Sequence, residues 1–348
     1  MCNYVYIADY KNMPATMGKR CPYPDFYERV QAALMSTPAA TPLPELLLDA
    51  TGACLFHSRA FAWKRGNDLK GRFLQLVQLL KADKHVKWYD FAEFAFIGGE
   101  PATGEGLPQP LLHIADTTFE KQAYFTGAAF LDPISFESVD FKGGATFSQA
   151  TFIEKLKVTN CRFNGLDFTK TKVGRDVNFI TVSFKSFALF DNAQFDAIAH
   201  RTIVSFKDVQ FECMATFNST SFSLDDEGSV VFLGTKFEET ADFTNAQFCC
   251  QAVFTDVSFA GATDFIDTLF GTAKSSARYR GSAVEFNRID VQATASLTFR
   301  SSDPGNKMFC QDVQMSFKDD PAGTIAFENV NFINIVPVSR ERLVQHQF

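Results

Sequence analysis

Three cysteines and one histidine near the N-terminus form the grouping best suited to chemistry. Cys54 and His57 are separated by two residues, and a cysteine and a histidine at this spacing commonly bind zinc. Cys2 and Cys21 are the candidates that complete a tetrahedral set of three thiolates and one imidazole. Four protein ligands leave no open position, so the set predicts one structural zinc ion. Buried thiols without metal are the alternative, because the gaps between the cysteines are irregular.

The run Cys-Leu-Phe-His-Ser at 54–58 also carries a resemblance. It resembles the Cys-Ile-Phe-His element that ends a small zinc-binding segment found in front of some bacterial repeat proteins. That resemblance implies a zinc-binding segment ahead of a repeat domain.

No motif of catalytic chemistry accompanies this set. The chain has no P-loop and no Gly-x-Ser-x-Gly sequence. The remaining histidines have no nucleophile at an informative spacing; they are His85, His113, His200 and His346. The sequence therefore predicts a protein that is not an enzyme.

Phenylalanine is the outlier of the composition, with 40 Phe among 348 residues against 8 Tyr and 2 Trp. From Phe119 these residues recur with gaps that alternate between six and five, which gives an eleven-residue unit. The ladder slips at Phe168 and weakens beyond Phe270. Its Phe positions up to that point are 119, 125, 130, 136, 141, 147, 152, 163, 168, 179, 184, 190, 195, 206, 211, 217, 222, 232, 237, 243, 248, 254, 259, 265 and 270.

The residues around each ladder Phe indicate a short extended segment. Two positions before the Phe stands Ala, Val, Ile, Leu, Cys or Thr, and the residue between is mostly polar, as in Ala241-Asp242-Phe243. This alternation is the period-two pattern of a strand with one buried face. A helix is excluded because an apolar recurrence every five or six residues precesses around its surface. The constant spacing favours a solenoid over a β-sandwich.

Segments such as 145–152 (ATFSQATF), 241–248 (ADFTNAQF) and 252–259 (AVFTDVSF) resemble the pentapeptide-repeat family. The resemblance implies an all-β solenoid, a right-handed quadrilateral β-helix with one unit on each side. Four units make a coil of about 22 residues, so about ten coils are expected between Phe119 and Phe332.

The two ends of the chain differ from the ladder. We predict a mainly α capping domain over residues 1–97, a linker over 98–112, a β-helix over 113–335 that is irregular after about 271, and a C-terminal cap over 336–348. The apolar spacing in 67–82 predicts an amphipathic helix, and 26–34 and 339–347 are candidates for two more. The C-terminal end could also meet a second copy of the chain.

One stretch of the repeats is strongly acidic. Between Asp208 and Asp267 the chain has eleven acidic residues and one basic residue, Lys236. Assigning units to sides places about half of this charge near one edge, with Asp242 and Asp264 stacked on neighbouring coils. A solvated surface is the alternative, but we hypothesise that this acidic edge binds a protein with a basic surface. The residues of the acidic edge are Glu238, Glu239, Asp242, Asp264 and Asp267.

Composition excludes several other classes. A charged fraction of 21% excludes a disordered polyelectrolyte, and no apolar run reaches the ~18 residues of a membrane helix. A net charge of −7 argues against direct nucleic-acid binding. The N-terminus lacks a secretory signal, and the eight cysteines form no disulfide framework, so we expect a cytoplasmic location.

Three functions fit these observations. The first is a non-enzymatic interaction scaffold that binds a basic protein partner through the acidic edge. The second, which the family resemblance raises, is a DNA mimic that modulates a DNA-handling enzyme such as a topoisomerase. The third is an adaptor or sensor in a bacterial stress or antiphage defence system, because chains with a cap and repeats resemble parts of such systems.

Overall fold

The computed structural model describes residues 2, 4, 21, 23, 47–97, 112–196, 202–224, 228–270, 284–302, 308–311, 313–318, 321–333 and 336–337. The helices predicted in 26–34 and 339–347 lie outside these residues, as does all of the predicted linker except Leu112.

The ladder folds into short parallel strands that stack on four faces of a rod. Face 1 contains β1 (Tyr89–Asp90), β5 (Ala123–Tyr124), β9 (Ala145–Thr146), β13 (Leu166–Asp167), β17 (Ala188–Leu189), β21 (Ala215–Thr216), β25 (Ala241–Asp242), β29 (Ala262–Ile266), β32 (Ser296–Arg300) and β35 (Thr324–Glu328). Face 2 contains β2 (Ala95–Phe96), β6 (Ala129–Phe130), β10 (Thr151–Phe152), β14 (Lys172–Val173), β18 (Gln194–Asp196), β22 (Ser221–Ser223), β26 (Gln247–Phe248), β30 (Leu269–Phe270), β33 (Met308–Gln311) and β36 (Val330–Ile333).

The chain then turns onto the other two faces before it returns to face 1. Face 3 contains β3 (Leu112–Ala115), β7 (Ile134–Glu137), β11 (Leu156–Thr159), β15 (Val177–Ile180), β19 (Ile203–Lys207), β23 (Ser229–Leu233), β27 (Gln251–Thr255), β31 (Val284–Val291), β34 (Val313–Phe317) and β37 (Val336–Pro337). Face 4 contains β4 (Thr118–Phe119), β8 (Asp140–Phe141), β12 (Arg162–Phe163), β16 (Ser183–Phe184), β20 (Gln210–Phe211), β24 (Lys236–Phe237), β28 (Ser258–Phe259) and the end of β31. The predicted all-β solenoid with four sides is confirmed.

Ladder residues on one face are register partners in neighbouring coils. Phe119 pairs with Phe141, and Phe141 pairs with Phe163. Phe163 pairs with Phe184, so the slip at Phe168 shortens one coil by a residue and leaves the register of the Phe positions intact.

The inward Phe rings stack along the rod. The ring of Phe243 lies parallel to those of Phe217 and Phe265, with centroids 4.7 Å away in both cases. It meets Phe232 across the interior at 6.0 Å and an angle of 86°. Parallel and edge-to-face pairs are each worth roughly 0.5–1.5 kcal/mol beyond the burial of the rings, so the interior is stabilised along and across the rod.

Threonine two residues before a ladder position has a specific bonding role. The hydroxyls of Thr171, Thr220, Thr235 and Thr268 each donate to a Phe carbonyl of the preceding coil at 2.7–2.8 Å. Thr263 differs, because its buried hydroxyl has no hydrogen-bond partner.

Two of the four corners explain why the gaps alternate. At the corner from face 1 to face 2 one residue has a positive φ, as in Gln149 (60°), Asn192 (56°) and Asn245 (57°). The corner from face 3 to face 4 is built in the same way, with Asn160 (53°) and Asp256 (54°) as examples. Left-handed backbone turns the chain in fewer residues, so these corners take the five-residue gaps; Asn and Asp tolerate it better than most residues.

Parallel pairing starts before the predicted β-helix boundary at residue 113. Strand β1 pairs with β5 and β2 pairs with β6, so part of 1–97 forms a first half-coil. Its rings join the ladder, since Phe96 stacks on Phe130 at 4.7 Å.

Within residues 47–97, two helices lie ahead of this half-coil: α1 (Phe61–Arg65) and α2 (Leu69–Ala82). Helix α2 begins two residues later than the sequence predicts because the Asp68 side chain caps it by accepting from Gly71 N at 3.1 Å. Its apolar face is buried, with Phe73 and Leu76 fully so. No helix in the described part of the chain is long and apolar enough to span a membrane.

Phe243→Ala is expected to lower the free energy of unfolding by about 3–5 kcal/mol, because it empties a fully buried ring position between two stacked neighbours. Thr244→Ala, one residue along the chain and facing outwards, should change it by less than about 0.5 kcal/mol. Denaturation of the two variants measures both values. Equal losses would contradict the inward placement of the ladder.

Two threonines of one coil should respond oppositely to removal of the hydroxyl. Thr268→Val should destabilise by about 1 kcal/mol because it deletes the bond to the Phe243 carbonyl. Thr263→Val should stabilise by a similar amount, since it removes an unpaired buried hydroxyl. The shift of the denaturation midpoint of each variant relative to wild type is the measurement. Shifts of the same sign would refute the assignment of one bonded and one unbonded hydroxyl.

Candidate metal centre

A tight loop presents the Cys54 and His57 side chains. The chain reverses between Leu48 and Cys54, which form an antiparallel bridge, and Gly52 has a φ of 80° in the reversal. The Asp49 carboxylate stabilises the loop by accepting from Thr51 N at 2.8 Å and Ala53 N at 3.0 Å. This local structure places Cys54 at the start of the next turn.

The turn from Cys54 to His57 brings a sulfur and an imidazole together. His57 N and Ser58 N both donate to the Cys54 carbonyl, at 3.0 and 2.8 Å. As a result, Cys54 Sγ lies 3.2 Å from His57 Nδ1. The two residues between Cys54 and His57 therefore complete the single turn that brings the two side chains together.

Cys2 and Cys21 complete the cluster from distant parts of the sequence. Cys54 N donates to Cys2 Sγ at 3.1 Å, and Cys21 Sγ lies 3.8 Å from Cys54 Sγ. All four residues are buried, and their ligand atoms lie within 4.8 Å of one another. The four residues selected from the sequence thus form one site.

The geometry of the cluster fits a metal ion. A distance of 3.8 Å between sulfurs is far too long for a disulfide, whose S–S bond is about 2.05 Å. It matches the edge of a tetrahedron with ~2.3 Å metal–sulfur bonds, which is about 3.8 Å. The cluster could therefore bind a metal through three sulfurs and one nitrogen.

The side chains of the cluster shift one another's pKa values. Hydrogen bonds from Cys21 and Cys54 hold the pKa of Cys2 well below that of a free thiol, whereas contacts with Cys2 and Cys54 raise the pKa of Cys21. Burial would lower the pKa of His57, but hydrogen bonds with the sulfurs of Cys2 and Cys54 raise it to about 9. Without metal, protons are held between these groups, and metal binding would release them.

The His57 ring is held by a second set of contacts. Its Nε2 lies 3.2 Å from the Ala92 carbonyl, which can only accept, so Nε2 carries the proton and Nδ1 faces the sulfurs. The ring of Tyr4 stacks on the imidazole at 4.4 Å, and its hydroxyl donates to Glu93 Oε2 at 2.7 Å. These contacts orient the imidazole for ligation.

Residues close to the cluster in sequence also cover the open edge of the first half-coil. Ala95 N donates to the Phe56 carbonyl at 2.9 Å, and Lys64 Nζ donates to the carbonyls of Phe56 at 3.0 Å and Ala95 at 2.5 Å. The Tyr23 hydroxyl donates to the Asp90 carbonyl. The backbone at the end of the rod would otherwise lack hydrogen-bond partners. Phe56, Lys64 and Tyr23 provide them.

Lys64 contributes to this closure of the rod end, and the sequence alone did not indicate it. It is fully buried, and burial together with the nearby Arg59 lowers its pKa to about 7. Nothing in the local sequence marks it, since a lysine on a short helix is ordinarily exposed.

The residues of the acidic edge surround face 1. Asp242 and Asp264 are register partners on β25 and β29. Glu238 and Glu239 lie at the corner from face 4 to face 1, and Asp267 lies at the corner from face 1 to face 2. None of the five forms an ion pair with a lysine, arginine or histidine of the described ranges.

Asp267 has a structural role that the sequence did not reveal. Its carboxylate accepts from Ser302 Oγ at 2.5 Å, from Ser302 N at 2.8 Å and from Ser301 Oγ at 3.3 Å. Hydrogen bonds from Ser302 hold the pKa of Asp267 below its usual value. This side chain joins one coil to the next.

Comparison with known families agrees with the fold. A family model described as pentapeptide repeats (9 copies) matches residues 114–154. The match covers the first full coils, and the same stacking continues along the described rod. Residues 114–154 are thus similar to pentapeptide repeats, and they form part of a four-sided β-helix that extends beyond the matched segment. The comparisons with curated proteins and with solved structures found no match.

Cys54→Ser is expected to abolish metal binding and to loosen the N-terminal domain, because ligation free energy is also folding free energy. Elemental analysis should give about one metal ion per wild-type chain and close to none in the variant. Cys213→Ser is the control, since Cys213 is partly exposed and outside the cluster. Wild-type protein prepared without chelator and found free of metal would contradict the site.

Proposed function

We propose that the chain is a non-enzymatic interaction scaffold whose rod presents the acidic edge to a protein with a basic surface. The observation that carries this proposal is the stacking of Asp242 on Asp264 on a rigid face, where neither carboxylate forms an ion pair with a cation of the described residues. In the described coils around Phe243 the interior is filled by stacked rings, so the outward side chains are the ones that can meet a partner.

The electrostatic cost of this arrangement is small, and its effect on a partner is specific. Two carboxylates about 5 Å apart in water repel by only ~0.8 kcal/mol, so the folded rod tolerates them. Fixed negative charge on a rigid surface accelerates the encounter with a basic partner and selects its orientation.

We favour a basic protein over a duplex-mimic function for this edge. In the face 1 column, Asp242 is preceded by its register partner Thr216, and Asp264 is followed by Thr298. The column of stacked carboxylates is thus two coils long, about 5 Å, which is short for the imitation of a DNA strand.

On the neighbouring face 4, two polar pairs link successive coils. A groove of about 620 Å³ lies there, bounded by Lys236, Arg288 and Lys318 among others. Arg288 forms an ion pair with Asp256, and the Ser258 hydroxyl donates to Asp290 at 3.0 Å. These contacts favour a structural surface over a catalytic one.

The metal proposed for the cluster is zinc, because three thiolates and an imidazole are among its usual structural ligand sets. Cys2, Cys21 and Cys54 would bind through sulfur and His57 through Nδ1. With four buried protein ligands, zinc would supply a cross-link between the N-terminal segments instead of a reactive centre.

A variant without charge on the acidic edge tests the proposed function. It combines Glu238→Gln, Glu239→Gln, Asp242→Asn and Asp264→Asn, and it keeps Asp267 because that carboxylate bonds Ser302. Asn at position 242 preserves the oxygen that accepts from Thr244 N at 2.8 Å. Quantitative capture from a lysate of the source cells, at low and high salt, is the measurement.

The control variant removes the same number of carboxylates from the N-terminal coils, where each is in an ion pair: Glu120→Gln, Glu137→Gln, Glu154→Gln and Asp176→Asn. We expect wild type and control to retain the same partners at low salt and to lose them at high salt, whereas the acidic-edge variant loses them at both. Equal capture by the two variants would show that the acidic edge only solubilises the rod.

A further inference from the structure

Two large apolar side chains are exposed beside the acidic edge. Phe187 is 39% exposed and Met214 is 42% exposed, and both lie at the corner from face 4 to face 1. They occupy neighbouring coils, because Ala188 N donates to the Met214 carbonyl in the β-helix pairing. We call these two residues the apolar corner.

The repeats themselves show that the fold does not require apolar residues here. In each coil the carbonyl at this corner position accepts from the first residue of a face 1 strand in the coil before. The residues that supply this carbonyl in successive coils are Gln122, Gly144, Gly165, Phe187, Met214 and Thr240. The other coils use a small or polar residue at the position where Phe187 and Met214 stand.

The Phe187 ring packs against Gly165 of the preceding coil. A Cβ added at Gly165 would lie 2.8 Å from the ring, so the absence of a side chain at Gly165 leaves the space that the ring occupies. The ring is therefore held against the preceding coil with one side exposed.

The apolar corner is continuous with the acidic edge. Cys213, next to Met214, lies with its Sγ 3.2 Å from Glu239 Oε2 on the following coil. On face 1, Leu189, Thr216, Asp242 and Asp264 follow one another as register partners. From Phe187 to Asp264 the surface rises three coils, roughly 15 Å at the ~4.8 Å strand spacing.

We propose that the apolar corner and the acidic edge form one docking surface for a partner segment that carries a large apolar side chain close to Lys or Arg. This proposal rests on the proposed function and adds the chemistry of the partner. Desolvated apolar contacts supply affinity, whereas the carboxylates supply orientation and association rate.

The charge of the surface argues against other occupants. A two-fold dimer places the same patch of both copies in contact, which would set one acidic edge against the other. An anionic lipid surface would be repelled in the same way. A basic and apolar protein segment complements both halves.

A random twelve-residue peptide library displayed on phage, selected on the full chain, provides the probe. Enriched peptides should combine Lys or Arg with Phe, Leu, Met or Trp. Phe187→Ser with Met214→Ser should weaken their binding at least tenfold, and Asp242→Asn with Asp264→Asn should weaken it and reduce its salt dependence. Ile153→Ser with Ile203→Ser is the matched control, because those side chains are 48% and 44% exposed elsewhere on the rod.

The outcomes separate the two proposals. Enriched peptides that are basic but lack apolar residues, or that bind the apolar-corner variant as they bind the control, would overturn this inference and leave the acidic-edge function standing. Peptides without basic residues would overturn both proposals. Both would also fail if no peptide is enriched on the wild-type chain over a variant that combines Phe187→Ser, Met214→Ser, Asp242→Asn and Asp264→Asn. Wild-type dimers that the apolar-corner variant abolishes would assign the surface to a second copy and also contradict the inference.

Discussion

The inward Phe rings of successive coils stack on one another, and this stacking holds the coils in register. Phe217, Phe243 and Phe265 lie on one another at 4.7 Å in a single column, and the columns of adjacent faces meet edge to face. A ring can stack on its counterpart only when the strands are in register, so the rings and the backbone hydrogen bonds specify the same alignment. That alignment also decides which outward residues are neighbours. Asp242 lies beside Asp264, and Phe187 lies beside Met214, because the rings beneath them are aligned.

A rod of stacked strands has backbone N–H and C=O groups without strand partners at its ends. At one end, residues of the N-terminal region bond to these groups. Carbonyls of Asp90, Ala92 and Ala95 accept from Tyr23, His57 and Lys64, respectively. His57 belongs at once to the metal cluster and to this set of bonds. Metal binding by the cluster would therefore be linked to closure of the first half-coil through one imidazole ring.

Much of the fold was predictable because the repeat is encoded locally. The period of eleven, the inward Phe and the small residue two positions earlier each follow from the alternation of a buried strand. The cause of the alternating gaps did not emerge from the Phe positions alone, although Asn and Asp at positions such as 160, 192, 245 and 256 were a readable signal for left-handed corners. The first half-coil was assigned to the cap, yet Phe91 and Phe96 have the five-residue gap of Phe125 and Phe130, the rings they contact. For the site, residue types identified the four candidate ligands, whereas the buried Lys64 and the bonds of Asp267 depend on residues brought together only by folding.

We propose that metal binding by Cys2, Cys21, Cys54 and His57 closes the end of a rod whose coils are otherwise held by their own rings. Hydrogen–deuterium exchange of the intact chain, with bound metal and after chelation, tests this proposal. Chelation should speed exchange of the amides of residues 54–58 and 89–97 by at least tenfold, while strands β11 and beyond keep their protection, because the ring columns do not need the metal. Unchanged exchange in 89–97, or equal loss of protection along the whole rod, would contradict the account.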